Sequence, residues 1–139
     1  MKIINFLKKP AFVVFTIVTL ILLSSNFNFS PYSWISLIVL ALGDYFWING
    51  IIDLRENFSI LPKTRKLITG GIYKKIRHPI YLGQILAAYS WFILIRSLFL
   101  LIFVVGITIV LLIRSKDEEK LLIKRFGKKY IKYKKNTWF

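Results

Sequence analysis

Four apolar segments constrain the fold of this 139-residue chain more than any other feature of its sequence. They cover residues 11 to 23, 32 to 52, 80 to 95 and 98 to 113. The second segment has about the length that a helix needs to cross a hydrocarbon core of about 30 Å, and the others reach that length with their flanking residues. Because hydrophobic residues make up 56% of the chain, one membrane-embedded unit is favoured over several soluble domains. We predict an all-α, integral membrane helical bundle of about four transmembrane helices.

The basic residues between these segments predict the orientation of the bundle. Three lysines precede the first segment, none lies in residues 26 to 31, seven Lys or Arg residues lie between 53 and 79, and ten follow residue 113. The turn between the last two segments carries only Arg96. By the positive-inside rule, both termini and the middle loop are cytoplasmic in this multi-pass topology. No small-residue cleavage pattern follows the first segment, so we expect it to be retained as a span.

One domain then accounts for the whole chain. Residues 1–53 would form two N-terminal spans, residues 54–79 a cytoplasmic loop, and residues 80–139 a helical hairpin with its tail. In the tail, apolar residues recur at spacings near three and four between lysines, which predicts an amphipathic cytoplasmic helix over residues 120 to 139, interrupted at Gly127.

The net charge of +15 has two possible counterparts. In a soluble protein it would indicate nucleic acid. Here the cations are confined to the segments between and after the apolar runs, so we predict membrane lipids as partners and no nucleic acid. The chain has no cysteine and one histidine, which removes disulfides and thiol nucleophiles, and we predict no metal site. Its oligomeric state does not follow from the sequence.

A polar stretch at residues 70 to 83 holds the only histidine of the chain, at the start of the third apolar segment. Pro79 suits the first position of a helix, so we expect a helix to begin at about His78. Arg77 and Tyr81 can share one side of it, and Gly83 allows a ligand or a neighbouring helix to come close. The stretch could hold an anion at the helix start. Equally, Arg77 could reach lipid phosphates, His78 could cap the helix, and Tyr81 could belong to an interfacial aromatic belt.

A second polar group lies at the end of the fourth segment. Half of the six acidic residues of the chain form the run Asp117-Glu118-Glu119. A hairpin of the third and fourth segments would return this run to the membrane face where His78 lies, and a carboxylate turned inwards could bind an ammonium group. The alternative is a solvated helix with ion pairs such as Arg114 to Glu118.

Asp44 lies in the middle of the second apolar segment. An ionisable residue at that depth is costly in a membrane and is a candidate for function. It could instead bond polar groups on a neighbouring span, or lie nearer the interface if the span is shifted.

The polar residues also match a family pattern. Thr69-Gly70-x-x-Tyr73-x-x-x-Arg77-His78-Pro79-x-Tyr81-x-Gly83, then Glu118-Glu119 and Phe126-Gly127-x-x-Tyr130-x-x-Tyr133, resembles the isoprenylcysteine carboxyl methyltransferase family and the related phospholipid methyltransferases. Upstream, Glu56-Asn57-Phe58-Ser59 resembles a polar stretch that members of the family carry before this motif. The resemblance covers residues 42 to 133.

This resemblance implies an integral membrane enzyme that transfers a methyl group from S-adenosylmethionine to a lipophilic or membrane-associated carboxylate or amine at the cytoplasmic face. It implies that the cofactor contacts are His78, Pro79, Tyr81, Gly83 and Glu119. It implies supporting or catalytic roles for Tyr73, Arg77 and Glu118. The substrate would be a lipophilic small molecule or a lipid-linked group.

Two alternatives remain from the sequence. Membrane reductases of the steroid and sterol type, which use NADPH, share a similar arginine and proline stretch and a C-terminal hairpin, but the paired glutamates favour the methyltransferase. A non-catalytic membrane protein that binds anionic lipid through its basic tail is the second alternative.

Overall fold

The computed structural model describes residues 30–54 and 67–139, which form four α-helices and one 3₁₀ turn. The first predicted span and the stretch Glu56 to Ser59 lie outside the described residues. Within these ranges no strand forms, and Ile76 and Trp138 make an isolated parallel bridge. The predicted all-α class is confirmed for this part of the chain. The helices are α1 (Pro31–Leu54), α2 (Pro79–Ile95), α3 (Leu98–Phe126) and α4 (Lys128–Lys135), with the 3₁₀ turn at Gly71–Lys74.

Two of the helices, α1 and α3, are long and apolar enough to cross a membrane by length and composition. The shorter helix α2 is apolar over its 17 residues. Large side chains on α3 are open to the surroundings: Phe99 is 84% exposed and Leu98 is 72% exposed. An apolar surface of this kind suits lipid better than water. Two of the four predicted spans are therefore found as candidates, and the four-span bundle stays a prediction.

Glycine lets α1 and α2 approach closely. A Cβ atom on Gly83 would lie 2.6 Å from the carbonyl oxygen of Gly43 and 2.7 Å from the main-chain nitrogen of Trp47. Further along the pair, the Ser36 hydroxyl donates a 2.8 Å hydrogen bond to the carbonyl oxygen of Ser90. Small residues at helix contacts are typical of membrane bundles, in which van der Waals contact replaces the hydrophobic effect between helices.

A two-residue turn joins α2 to α3, as the sequence predicted. Arg96 ends α2 in the left-handed conformation (φ 54°), and its N–H donates to the carbonyl oxygen of Phe92 over 2.7 Å. Its guanidinium lies 4.6 Å from the ring centroid of Tyr32, which ties the turn to the beginning of α1. This turn fixes α2 and α3 as a hairpin.

Helix α3 continues well beyond the predicted end of its apolar segment. Its 29 residues span about 43 Å, whereas a hydrocarbon core is about 30 Å thick. The first part of the predicted tail helix is therefore the end of α3, which corrects the expected start at residue 120. The break at Gly127 is confirmed: this residue has φ 52° and separates α3 from α4.

Candidate functional site

Asp53 positions the loop that leads into α2. Its Oδ2 accepts a 2.6 Å hydrogen bond from the main-chain N–H of Ile72, at the 3₁₀ turn. Gly71 has φ 55°, and a Cβ atom there would lie 1.9 Å from Asp53 Oδ2. The turn can therefore meet the end of α1 only with glycine at this position.

Pro79 occupies the first turn of α2 and His78 is its N-cap residue, which confirms the predicted helix start. The His78 side chain makes no capping hydrogen bond. Its ring instead stacks on Tyr81, with 5.6 Å between the ring centroids and 12° between the ring planes. The helix start therefore holds the imidazole beside the phenol, both available to polar groups on α3.

Arg77 and Glu119 form the centre of the site. The Nε atom of Arg77 donates to Glu119 Oε1 over 2.7 Å, and Lys134 Nζ donates to Glu119 Oε2 over 2.6 Å. The Arg77 Nη1 atom also donates to the main-chain oxygens of Lys134, over 3.2 Å, and of Thr137. Because both carboxylate oxygens of Glu119 have charged donors and its side chain is only 11% exposed, this residue binds three separate segments together.

Glu118 faces a more open environment, with its side chain 29% exposed. Its Oε1 accepts a hydrogen bond from the Tyr81 hydroxyl and lies 3.6 Å from Arg114 Nε. Its Oε2 lies 3.9 Å from His78 Nδ1. The ion pair with Arg114 that the sequence offered as an alternative is therefore present, and it coexists with contacts from Glu118 to the start of α2.

The end of the described chain closes the site. The main-chain oxygen of Phe139 accepts hydrogen bonds from the N–H groups of Arg77, over 2.7 Å, and His78, over 2.9 Å. The N–H of Trp138 donates to the carbonyl oxygen of Lys75 over 3.0 Å. Tyr133 adds a third link, because its hydroxyl donates to the carbonyl oxygen of Tyr73 over 2.6 Å. The segment after α4 thus runs alongside the residues that precede α2.

Burial governs the ionisation of this cluster. Burial lowers the pKa of His78, although Glu118 and Glu119 oppose the shift, so the imidazole is neutral near pH 7. Burial raises the pKa of Tyr130, and for Tyr133 it raises the pKa to about 12, so both phenols stay protonated. The Nε2 atom of His78 and the hydroxyl of Tyr130 are buried and have no hydrogen-bond partner among the described residues.

Five of the predicted site residues meet in this cluster, namely Arg77, His78, Tyr81, Glu118 and Glu119.

The other three predicted residues lie around the cluster. Tyr73 is buried and contributes its carbonyl oxygen to Tyr133. Pro79 and Gly83 are buried and face α1: a Cβ on Gly50 would lie 3.2 Å from the Pro79 ring. Their cofactor contacts stay predictions. No hydrogen bond or ion pair of the described residues joins Asp44 to the cluster, so its function also stays a prediction.

The sequence did not predict three parts of the site, namely Asp53, Lys134 and the main chain of Thr137 to Phe139. The sequence did hold a signal for Asp53. It is an acidic residue at the end of an apolar segment, and the loop that follows it leads to the glycine pair Gly70-Gly71. Lys134 carried none, since it is one of ten basic residues after residue 113. Main-chain acceptors have no residue signature at all.

The cluster suits a zwitterionic ligand. It offers a partly exposed carboxylate on Glu118 and the half-exposed ammonium group of Lys134, and the Nε2 atom of His78 makes no hydrogen bond although it lies 3.6 Å from Glu119 Oε1. A ligand ammonium group can pair with Glu118, and a ligand carboxylate can pair with Lys134. The residues present therefore fit a cofactor that carries both an amine and a carboxylate.

Comparison with known proteins identifies a matching family and several similar proteins. The family model described as phospholipid methyltransferase matches residues 12–129. Protein-S-isoprenylcysteine O-methyltransferase of Schizosaccharomyces pombe is 29% identical over 98% of this chain and 56% of its own length. The protein of the same name from Dictyostelium discoideum is 31% identical over 76% of this chain and 47% of its own length. Methanethiol S-methyltransferase of Pseudomonas deceptionensis is 40% identical over 48% of this chain and 24% of its own length.

The chain spans about half the length, or less, of the curated relatives it matches. No solved structure matches it.

Proposed function

The chain belongs to the phospholipid methyltransferase family, and on that premise we propose that it transfers a methyl group from S-adenosylmethionine to a lipophilic acceptor at the cytoplasmic face of a membrane. The relatives are named as methyltransferases, one acting on an oxygen and another on a sulfur atom. A carboxylate or an amine on a membrane-associated molecule is the acceptor class that we propose for this chain.

The observation that carries the proposal is the meeting of two sequence motifs. Arg77, His78 and Tyr81 come from the start of α2, and Glu118 and Glu119 come from the end of α3. Hydrogen bonds join these two sets directly, from Arg77 to Glu119 and from Tyr81 to Glu118. Charged groups of both signs thus lie beside the apolar parts of α2 and α3, which is where a polar cofactor and an apolar acceptor can meet.

Each side chain in this arrangement has a distinct task. Glu118 would bind the ammonium group of the cofactor, with Tyr81 and Arg114 fixing the direction of its carboxylate. His78 would offer its neutral imidazole as a hydrogen-bond partner through Nε2, and Pro79 and Gly83 would shape the helix on which these groups stand. Arg77 and Glu119 would hold the α2 start, the α3 end and α4 in register, with Tyr73 supporting them from the loop. Bound S-adenosylmethionine would supply an electrophilic methyl group on a positively charged sulfur.

The chain's main contribution to the reaction would be alignment and the exclusion of water. A carboxylate acceptor needs no base. An amine acceptor must lose a proton before it can attack, so it would have to reach the cofactor as the neutral amine. The acceptor would approach along the apolar helix surfaces from the bilayer.

The membrane placement is part of the proposal. Four spans, with both termini and the loop before α2 in the cytoplasm, would put the cluster at the membrane boundary, since the apolar part of α2 begins beside it. The exposed apolar surface of α3 and the basic residues after it support this placement.

Calorimetric titration of the detergent-purified protein with S-adenosylhomocysteine tests the cofactor site. Saturable binding is expected, and Glu118→Gln should weaken it at least tenfold because the ammonium partner is lost. Asp117→Asn is the matched control, since this adjacent carboxylate is exposed and pairs with Lys120. Folded protein that does not bind, or Glu118→Gln protein that binds as the wild type does, would contradict the proposed site.

A lipophilic acceptor is tested separately. Membranes that contain the protein, supplied with radiolabelled S-adenosylmethionine, should place label in the organic extract, and Glu118→Gln should abolish most of it. Label that appears only in water-soluble products would rule out the lipophilic acceptor while leaving methyl transfer intact.

A further inference from the structure

One face of α4 carries three lysines that take no part in the site. Lys128, Lys132 and Lys135 line a shallow concavity of about 250 Å³ together with Ile131. These positions follow helical spacing, so the four residues share one side of α4, which we call the lysine face. The opposite side is buried by Tyr130, which is 1% exposed. Helix α4 therefore has one face committed to the protein and one face open.

The described residues place no carboxylate against the lysine face. Ion pairs with carboxylates hold Lys134 in α4, and Lys120 and Arg114 in α3. None of the three ammonium groups on the lysine face lies in an ion pair with a described residue. Three like charges on one helix face repel each other unless an anion lies between them, so this concavity complements a polyanionic surface or a phosphate group.

The chain returns after α4 to the residues that precede α2, which the membrane placement proposed above would put at the membrane boundary. The main-chain N–H of Trp138 donates to the carbonyl oxygen of Lys75, a residue that lies shortly before the start of α2 at Pro79. The Trp138 side chain is 57% exposed, and Ile131 is 44% exposed. Lysines interleaved with exposed aromatic and aliphatic side chains form the pattern of an interfacial helix, in which the apolar groups enter the headgroup layer and the cations meet phosphates.

We propose that the lysine face docks on the anionic headgroups of the bilayer in which the protein is embedded, with lipid phosphates in the concavity and Trp138 at the interface. This docking would hold α4 against the membrane and, through Lys134 and Thr137, steady the cluster around Glu119. The inference rests on the membrane placement proposed above and does not depend on methyl transfer. The partner is an anionic lipid surface, because three cations and two apolar groups match a phosphate layer over hydrocarbon and not a free anion.

A fluorescent probe on the full chain tests the docking. The sequence has no cysteine, so Asn136→Cys gives one specific site for an environment-sensitive dye at the exposed end of α4. The labelled protein is reconstituted into nanodiscs of phosphatidylcholine alone and of an equimolar mixture of phosphatidylcholine and phosphatidylglycerol. We expect blue-shifted emission, and quenching by brominated lipid, in the mixture only.

Charge variants assign the effect to the lysine face. Each lysine near an anionic surface contributes about fivefold to the docking equilibrium, so the triple variant K128Q/K132Q/K135Q should lose roughly a hundredfold. The triple variant K124Q/R125Q/K129Q changes the net charge equally and leaves the concavity intact, so it should keep most of the signal. The variant K128R/K132R/K135R should dock as the wild type does, which guards against a loss caused by misfolding.

Three outcomes would overturn the proposal. The signal could be equal in the two kinds of nanodisc, or both glutamine variants could lose it equally, which would show an effect of net charge alone. Displacement of the docked state by inorganic phosphate at constant ionic strength would assign the concavity to a soluble anion. The docking test reports only the position of α4. A negative docking result therefore does not affect the cofactor titration, and a negative titration does not affect the docking test.

Discussion

Arg77 donates a 2.7 Å hydrogen bond to Glu119 across 42 positions of sequence, and Glu119 also accepts from Lys134. One carboxylate thus joins the start of α2, the end of α3 and helix α4. The polar cluster depends on this junction, because no other side chain in the described part of the chain forms ion pairs with both Arg77 and α4.

Replacing Glu119 by glutamine should destabilise the protein. The substitution removes the negative charge between two cations in a site where the side chain is only 11% exposed, so we expect the free energy of unfolding to fall by about 2 kcal/mol. Thermal unfolding in detergent measures this as a lower midpoint. Asp117→Asn, which removes a charge from an exposed pair, should shift the midpoint far less. Equal shifts for the two variants would show that Glu119 has no special structural role.

Gly83→Ala should disrupt the contact between α1 and α2. The new methyl group would lie 2.6 Å from the carbonyl oxygen of Gly43, and main-chain atoms cannot rotate away, so the helices must separate at a cost of about 2 kcal/mol. The matched control is Gly106→Ala in α3, where a Cβ meets no atom of a described residue within 4 Å. That change should be neutral or slightly stabilising, because alanine favours helix. A Gly83→Ala protein with an unchanged thermal midpoint would refute the close packing.

Gly71→Ala should weaken binding of S-adenosylhomocysteine through the loop. At φ 55° alanine is strained, and its Cβ would overlap the Asp53 carboxylate that holds Ile72. We expect the loop to shift and the affinity to fall severalfold in a calorimetric titration. Gly70→Ala is the neighbouring control, since Gly70 has φ −98° and open space around its Cβ position. If the two variants bind equally well, the geometry at Gly71 does not control the site.

Stability should fall as the pH drops below about 6.5, because of His78. Burial favours the neutral imidazole in the folded protein, so its folded pKa is lower than the unfolded value of about 6.5. The unfolded chain therefore takes up a proton at a higher pH than the folded protein does. The free energy of unfolding keeps its full value above about pH 6.5 and falls as the pH drops from there towards the folded pKa. Thermal midpoints measured across this range should show the loss in the wild type. His78→Gln should flatten the profile there, since the chain has no other histidine. A profile unchanged by that substitution would contradict the prediction.

Much of the architecture followed from the sequence because apolar length and proline position are local signals. The start of α2 at Pro79 and the turn at Arg96 were predictable from such signals, and the hairpin then brought Glu118 and Glu119 back to His78. The end of α3 was not, because the charged residues after 113 are good helix formers and continue the helix without an apolar pattern. The role of Lys134 depends on how α4 folds back after Gly127, which is a tertiary event that no short pattern encodes.

The main-chain oxygen of Phe139 completes the hydrogen bonds of Arg77 and His78. The N–H groups of Arg77 and His78 therefore cannot make these hydrogen bonds until Phe139 has left the ribosome. By then α1, α2 and α3 have already emerged. Completion of the polar cluster is thus a late step in the folding of the chain. A nonsense codon within α4 should yield a chain that still enters the membrane but cannot form the hydrogen bonds that complete the polar cluster.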